Sequence, residues 1–294
     1  MVQPRTLGFI AMAGAVVGYG GLWPVSHVAL QFTPPFWFAA IRVAIASVIL
    51  FGVVKATGNL KLPTRHDMSL VITVGVFMMA IYTLLMHAAL QYVPAGRAAL
   101  LGYTTPLWVV PASYFFLGER PSKRRLFGVV VAMAGLAVLF NPTTFDWSDT
   151  DVVLGNAMLL GCGLSWSVSI IHIRKHQPRR TPLQLAPFQL ALAAVLIAIF
   201  AAIFNPLPVW TGSAAQIGVF AYGGIMGTAV AFLSVTTCVR YLPTVVSTVG
   251  LLGTPVFALT LSILFLGEKL TVNLITGVVL ILGGIALVSI PRRR

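Results

Sequence analysis

From residue 105 the chain reads Thr105-Pro106 … Leu117-Gly118-Glu119 … Gly128-Val129-Val130, and 149 positions later it reads Thr254-Pro255 … Leu266-Gly267-Glu268 … Gly277-Val278-Val279. This agreement begins at Tyr92-Val93-Pro94, which returns as Tyr241-Leu242-Pro243. The earlier part of each half aligns more weakly, at a distance of 147 residues. A long internal repeat in an apolar chain is typical of transporters built from two similar halves. We therefore predict one structural unit that is used twice.

The composition indicates a membrane protein. Hydrophobic residues make up 58% of the 294 residues and charged residues only 9%, whereas a soluble domain carries about 25% charge. Apolar runs long enough to cross the bilayer recur along the chain, and their polar residues do not alternate as in a membrane barrel. We predict an all-α membrane protein with ten transmembrane helices, at about 7–27, 35–54, 68–90, 95–117, 124–140, 152–173, 183–204, 214–238, 244–266 and 272–290.

The basic residues lie mostly on one side of these ten segments. With the N-terminus in the cytoplasm, sixteen of the 19 Lys and Arg residues are inside, and only Arg97 and Lys269 are outside. This bias follows the positive-inside rule and predicts cytoplasmic N- and C-termini. The net charge of +13 then indicates contact with anionic membrane lipids, and we expect no nucleic-acid partner. The inner residues are Arg5, Lys55, Lys61, Arg65, Arg120, Lys123, Arg124, Arg125, Arg174, Lys175, Arg179, Arg180, Arg240, Arg292, Arg293 and Arg294.

The repeat is predicted to be inverted. Each unit holds five helices, and an odd number sends the second unit into the membrane from the opposite side. The boundary falls in the polar, acidic stretch Asn141–Asp151, so residues 1–145 form the first repeat and residues 146–294 the second. Both together form one integrated transport domain, in which two oppositely oriented halves can exchange shapes and open the protein alternately to each side.

Matching helix interruptions are predicted at Pro106 and Pro255. A proline within a helix cannot bond to the carbonyl four residues back, so carbonyls become free to face a cavity or to be capped by Thr105 and Thr254. The alternative is that both prolines only kink helices for packing. Their equivalent places in the two repeats favour a hinge.

Aromatic residues near mid-membrane indicate where a substrate binds. Tyrosine and tryptophan usually lie at the membrane surface, and a hydroxyl or indole N–H at mid-depth requires a polar partner. We predict a substrate-binding cavity with flexible methionines in its wall; the alternative is that these side chains fill the core. The candidate substrate-binding residues are Tyr82, Tyr103, Trp166, Tyr19, Met78, Met79 and Tyr222.

Arg42 is the only formal charge well inside a predicted helix, and its repeat equivalent is the neutral Gln189. A charge at this depth is a functional candidate. Three interpretations stay open: Arg42 binds a substrate carboxylate, bonds carbonyls of a broken helix, or extends towards the outer surface.

Asp and Glu are absent from the apolar segments, and the histidines lie nearer helix ends, which favours facilitated export over proton coupling. Glu119 and Glu268 are expected to cap the following helices.

The Leu-Gly-Glu motifs, the mid-helix prolines and the aromatic residues followed by small ones resemble the drug/metabolite transporter superfamily, EamA type. Through Tyr82, Tyr103 and Trp166 the chain is most similar to YddG-like aromatic amino-acid exporters. The resemblance implies a multi-pass protein of the bacterial inner membrane that exports small metabolites.

Function is thus expected to be export of aromatic or other apolar amino acids and related drug-like compounds, by alternating access around a central cavity. The alternatives are a same-fold exchanger for phosphorylated or nucleotide-linked compounds, and a non-transporting membrane scaffold. An enzyme is not expected, because the sequence shows no catalytic constellation. We expect no cofactor and no metal, and we expect a monomer with a small-molecule substrate.

Overall fold

The computed structural model describes residues 3–89, 91–92, 101–140, 148–266 and 272–289, and every regular element within these ranges is helical. The helices are α1 (Pro4–Ala29), α2 (Pro35–Ala56), α3 (Arg65–Ala89), α4 (Thr105–Leu117), α5 (Lys123–Phe140), α6 (Thr150–His176), α7 (Pro182–Phe204), α8 (Ala214–Tyr241), α9 (Thr244–Gly250), α10 (Gly253–Leu266) and α11 (Val272–Ser289).

Six of these helices, α1, α2, α3, α6, α7 and α8, contain segments long and apolar enough to cross a membrane, and shorter apolar segments lie in α4, in α9 with α10, and in α11. Large apolar side chains such as Phe115, Val48 and Ile203 are exposed on the outer faces, as a lipid-facing surface requires. The prediction of an all-helical membrane protein is therefore confirmed. Ten crossings remain a prediction, and most of the predicted boundary between the repeats lies outside the described residues.

Local sequence explains where several helices begin and end. Prolines occupy the first turns of α1, α2 and α7, where a missing N–H costs no helical bond. Thr181 caps α7 through a capping box with Gln184, which satisfies two otherwise free backbone donors. Gly118 adopts a left-handed backbone conformation (φ 64°) and ends α4, as glycine commonly does at this position.

Two helices contain π-helical segments at matching places of the sequence repeat, Val74–Ile81 in α3 and Ile225–Val230 in α8. Glycines let each of these regions approach another helix closely. A Cβ at Gly75 would lie 2.8 Å from the carbonyl oxygen of Gln189 in α7, and one at Gly224 would lie 2.8 Å from Cβ of Ile45 in α2. Short π segments are frequent at functional sites, and they were not anticipated from the sequence.

The helices pack in a reciprocal pattern between the two halves of the chain. Helix α1 packs against α8 and α10, and α6 packs against α3 and α4. Helix α2 packs against α7, and α5 packs against α11. Each helix of one half therefore has its main partners in the other half, so neither half forms a separate core.

The contact between α5 and α11 depends on four glycines. A Cβ at Gly128 would lie 3.0 Å from the carbonyl oxygen of Gly284, and a Cβ at Gly135 would lie 2.7 Å from that of Gly277. These residues are equivalent in pairs, since Gly128 repeats as Gly277 and Gly135 as Gly284. Small residues at such crossings let helix backbones pack closely in lipid, where no hydrophobic force drives helices together.

We predict that Gly284→Ala destabilises the protein by about 1–3 kcal/mol, the usual cost of overpacking. The new Cβ would lie 2.6 Å from Cβ of Ala132 and 2.6 Å from the carbonyl oxygen of Gly128. Gly283→Ala is the matched control, because a Cβ there meets nothing within 4 Å. Thermal unfolding in detergent can be followed with a thiol-reactive dye, since Cys162 and Cys238 are both buried. Equal melting temperatures for the two variants would contradict the predicted close contact.

Candidate functional site

A cavity of about 220 Å³ lies between the helices of the two halves. Side chains from α1, α2, α3, α4, α6, α8, α9 and α10 line it. The cavity therefore lies where both interrupted helices meet the rest of the bundle. Ligand sites in helical membrane proteins are built at such places, because irregular backbone is tolerated only in protein or beside a wet cavity.

An aromatic wall forms one side of this cavity. Trp166 of α6 lies between two tyrosines, with its ring centroid 6.0 Å from that of Tyr19 and 4.8 Å from that of Tyr82, both edge-to-face. The Tyr82 hydroxyl approaches Gly102, whose position leaves room for it: a Cβ there would lie 3.3 Å away. The arrangement presents flat apolar faces together with hydroxyl groups, which suits a flat, partly polar molecule.

The structure brings most of the predicted site residues together around the cavity. Its lining includes Tyr19, Arg42, Met79, Tyr82, Tyr103, Thr105, Trp166 and Thr254. Met78 does not reach it and is fully buried in the core, because adjacent residues of a helix point about 100° apart. Tyr222 does not line the cavity either, since its hydroxyl packs against Gly21 of α1.

The polypeptide is interrupted at both predicted places. Before α4 the helix ends and Thr104 turns back, its N–H and its hydroxyl donating to the Leu101 carbonyl at 3.0 and 2.8 Å. Between α9 and α10 the N–H of Thr254 donates to the Leu251 carbonyl at 3.0 Å. Thr104, and not Thr105, is thus the residue whose hydroxyl caps a carbonyl. The buried Thr254 hydroxyl has no hydrogen-bond partner, and Pro106 and Pro255 do not line the cavity.

The cavity lining also includes residues that are not among the candidate substrate-binding residues. Thr83, Met86 and His87 follow Tyr82 along α3 and line the cavity. Each lies about one turn from another position on the Tyr82 face, and this spacing was the signal available in the sequence. His87 is buried, and its Nδ1 lies 2.7 Å from the Thr83 carbonyl. Since a carbonyl only accepts, Nδ1 carries the hydrogen. His87 is thus a buried histidine with a backbone partner, close to the end of its helix.

Arg42 extends into the bundle and not towards the outer surface, and only 5% of its surface is exposed. Its Nη1 donates to the hydroxyl of Thr228 at 2.8 Å, and that hydroxyl donates to the Gly223 carbonyl at 2.6 Å. The partner of Arg42 thus lies in the π-helical segment of α8. Nε is buried and without a partner, and the side chain contributes to the cavity lining. A buried cation with unused donors is costly.

At one end of the bundle, Glu119 joins three helices. Its Oε1 accepts hydrogen bonds from Nη2 of Arg174 in α6 at 2.9 Å and from the hydroxyl of Thr244 in α9 at 2.8 Å. The expectation that Glu119 caps the next helix is corrected: its carboxylate links helix ends across the bundle. The repeat equivalent, Glu268, lies outside the described residues, as does Arg97.

Three potential metal ligands, His66, Asp67 and His176, have ligand atoms within 4.8 Å of one another at the same end. Their hydrogen bonds explain this arrangement. The Asp67 carboxylate accepts from the Thr64 hydroxyl at 2.8 Å and from the Arg179 N–H at 2.9 Å, and Nε2 of His176 lies 2.7 Å from the His66 carbonyl. These hydrogen bonds connect the end of α6 and the segment between α6 and α7 to the beginning of α3.

We predict that Thr105→Cys reacts with a small water-soluble thiol reagent, whereas Thr104→Cys does not. Thr105 lines the cavity, and Thr104 is buried behind it. Both variants are made in a background in which Cys162 and Cys238 are replaced by alanine. Labelling is measured by mass spectrometry on the folded protein, with the denatured protein as the reference for full labelling. Equal labelling rates for the two neighbours would contradict the described position of the cavity.

The chain is similar to proteins of a known transporter family. The model of the EamA-like transporter family matches residues 6–141 and again residues 153–290. The chain is 26% identical over 270 residues to the uncharacterized transporter YoaV of Bacillus subtilis, covering 91% of each chain. It is 26% identical to a probable terminal-alkyne amino-acid exporter of Streptantibioticus cattleyicolor, covering 97% of this chain and 95% of that one.

A solved crystal structure has the same fold, with a TM-score of 0.79 at 23% identity, over 97% of this chain and 96% of that chain. The family match covers most of the chain, and two of the bacterial relatives are named as uncharacterized transporters. The chain therefore belongs to the EamA-like transporter family, and it is a multi-pass transporter of the bacterial inner membrane.

Proposed function

We propose that this protein exports small aromatic or other apolar metabolites, including amino acids and related drug-like compounds, by alternating access around the central cavity. The observation that carries the proposal is the aromatic wall formed by Tyr19, Tyr82 and Trp166 around a cavity of about 220 Å³. This volume is below the range of about 300–1,000 Å³ common for ligand pockets, which favours a molecule of amino-acid size over a nucleotide-linked one.

The reciprocal helix contacts support an inverted repeat. In a two-fold arrangement residue i of one unit contacts residue j of the other, and j contacts i. The pairs Gly128 with Gly284 and Gly135 with Gly277 follow this rule, as do the packing of α1 on α8 and of α6 on α3. Repeats related in this way can exchange conformations, which would convert a cavity open to one side into one open to the other.

The lining of the cavity favours an outward-facing state. Leu30 and His87, at the ends of α1 and α3, are among its lining residues, and the charge distribution assigns these ends to the outside. At the inner ends, Glu119 holds α4, α6 and α9 together. In our proposal, breaking this inner link and closing the outer end completes the transport cycle, with the interruptions before Pro106 and Pro255 as hinges.

Two alternatives fit the cavity less well. Phosphorylated or nucleotide-linked substrates carry several negative charges, and Arg42 is the only Lys or Arg in the cavity lining that the structure describes. A non-transporting scaffold would require neither a lined cavity nor matched helix interruptions. The name of the Streptantibioticus cattleyicolor relative, a probable amino-acid exporter, supports an amino-acid-like substrate and the outward direction.

We predict saturable flux of aromatic compounds by the purified protein in proteoliposomes, without a requirement for a pH gradient. Trp166→Ala should lower the apparent affinity at least about tenfold, because the contacts of the aromatic wall are lost. Trp210→Ala is the control, since Trp210 is exposed and lies outside the cavity. Flux that does not saturate would indicate a channel, and no flux of any aromatic compound by the folded protein would refute the proposed substrate class.

The link at Glu119 provides a test of alternating access. Glu119→Arg and Arg174→Glu each bring like charges together, so each should open the inner end, whereas the double variant should close it again. The measurement is the labelling rate of Thr105→Cys by an impermeant maleimide applied from the inner side. We expect several-fold faster labelling in the single variants, as for a partly exposed ion pair. Unchanged labelling in both would contradict an inner gate at this position.

A further inference from the structure

We propose that Arg42 binds the carboxylate of the transported molecule, and that the cavity selects aromatic monoanions over zwitterions and cations of the same shape. This inference rests on the proposed function and specifies its substrate class. It concerns one residue that the aromatic wall leaves unexplained, a guanidinium 95% buried from solvent beside a cavity.

The Arg42 guanidinium is held in place, but not all of its N–H groups have hydrogen-bond partners. Thr228 accepts from Nη1 at 2.8 Å, and its own hydroxyl hydrogen is committed to the Gly223 carbonyl. Thr228 therefore presents an acceptor to Arg42 and fixes the orientation of the planar group. Nε is without a partner, and a guanidinium offers five N–H donors in a fork that matches the two oxygens of a carboxylate. A donor surface remains for a ligand.

Within the part of the chain that the structure describes, no carboxylate neutralises this charge. Glu119 is engaged by Arg174, Asp67 by Thr64 and Arg179, and Asp149 and Asp151 lie at the beginning of α6. A cation in a membrane interior is normally paired. A substrate carboxylate would supply the missing counter-charge, and its binding energy would include relief of this desolvated, unpaired state.

The surroundings of Arg42 favour an anion attached to a ring. Tyr19 and Tyr82, the two residues that flank Trp166, line the same cavity as Arg42. The Tyr19 hydroxyl is buried without a partner, so it can donate a second hydrogen bond to a carboxylate oxygen. A molecule with a carboxylate at Arg42 would therefore place its apolar body against the aromatic wall.

The cavity offers an ammonium group no comparable partner. Acidic side chains are missing from the described lining, which provides only neutral acceptors such as the Thr248 and Ser26 hydroxyls. An amine that binds there loses its hydration and gains no counter-charge. Removing or masking the amine should thus strengthen binding, so the preferred ligand is an aryl carboxylate and the amino acid is second.

The second repeat provides a natural comparison. At the position equivalent to Arg42 it has Gln189, which is buried away from the cavity, with its amide nitrogen 3.5 Å from the Leu70 carbonyl. The charge is thus present in only one of two similar helices. Arg42→Gln replaces the cation by the side chain that the other half of the protein already accommodates in its interior.

The test compares three ligands that share a phenethyl body: 3-phenylpropionate, phenylalanine and phenethylamine. Binding to the purified full-length protein is measured with radiolabelled compounds at pH 7, where they are an anion, a zwitterion and a cation. We expect affinity to fall in that order. In Arg42→Gln, affinity for phenylpropionate should fall roughly ten- to a hundredfold, as for loss of a charge-assisted hydrogen bond, whereas that for phenethylamine should stay equal or rise.

Further variants separate charge recognition from folding. Arg42→Lys keeps the cation and should retain part of the preference for the anion. Lys55→Gln removes a positive charge from an exposed position at the other end of the same helix and should leave all three affinities unchanged. Thr228→Val should weaken phenylpropionate selectively and Thr228→Ser should restore it, because Thr228 acts by positioning Arg42. A general folding defect would instead lower the affinity for all three ligands.

The proposal is overturned if wild-type protein binds the three ligands equally, if it fails to bind phenylpropionate, or if Arg42→Gln reduces all three affinities by the same factor. The proposed function is tested separately, by measuring flux in proteoliposomes. Saturable flux of neutral aromatic compounds that is unchanged in Arg42→Gln, with no anion preference, would refute the carboxylate site and leave aromatic export in place.

Discussion

Close approach of helix backbones at glycines is the constraint on which the rest of this structure depends. Lipid supplies no hydrophobic force between helices, so they associate through packing and hydrogen bonds. Gly128 and Gly135 pack against Gly284 and Gly277, while Gly75 lets the π segment of α3 contact α7. These contacts bind each half of the chain to the other. The cavity lies between helices from both of these halves.

Polar groups in the bundle follow from the same constraint. A helix break inside a membrane requires partners for the freed backbone groups, and Thr104 supplies one at the break before α4. Other polar groups remain unpaired, among them the Tyr19 hydroxyl and Nε of Arg42, and both residues line the cavity. Unpaired polar groups that would destabilise a closed core can be stabilised by a ligand. These unpaired groups, which could bind a ligand, thus belong to residues that line the cavity, where the helix packing is incomplete.

Sequence patterns predicted the helical fold, both chain interruptions and the residues of the aromatic wall, because these features depend on composition, on proline chemistry and on the depth of polar side chains. They could not distinguish Met78 from Met79, since both fit an apolar helix and only the rotation of α3 decides which one reaches the cavity. That rotation depends on a π segment with no clear local signature. Likewise, the link from Glu119 to Arg174 and Thr244 joins residues distant in sequence, and no local motif reports it.

The π segments also give the two helices an adjustable register. A π turn holds more residues than an α turn, and its i to i+5 bonds can rearrange into i to i+4 bonds without unfolding the helix. In α3 the segment ends directly before Tyr82, and in α8 it contains Thr228, the partner of Arg42. If such a segment moved along its helix, the residues that it passed would rotate about the helix axis and shift along it. The aromatic wall and the orientation of the guanidinium would then change by the same kind of motion, one in each half of the protein.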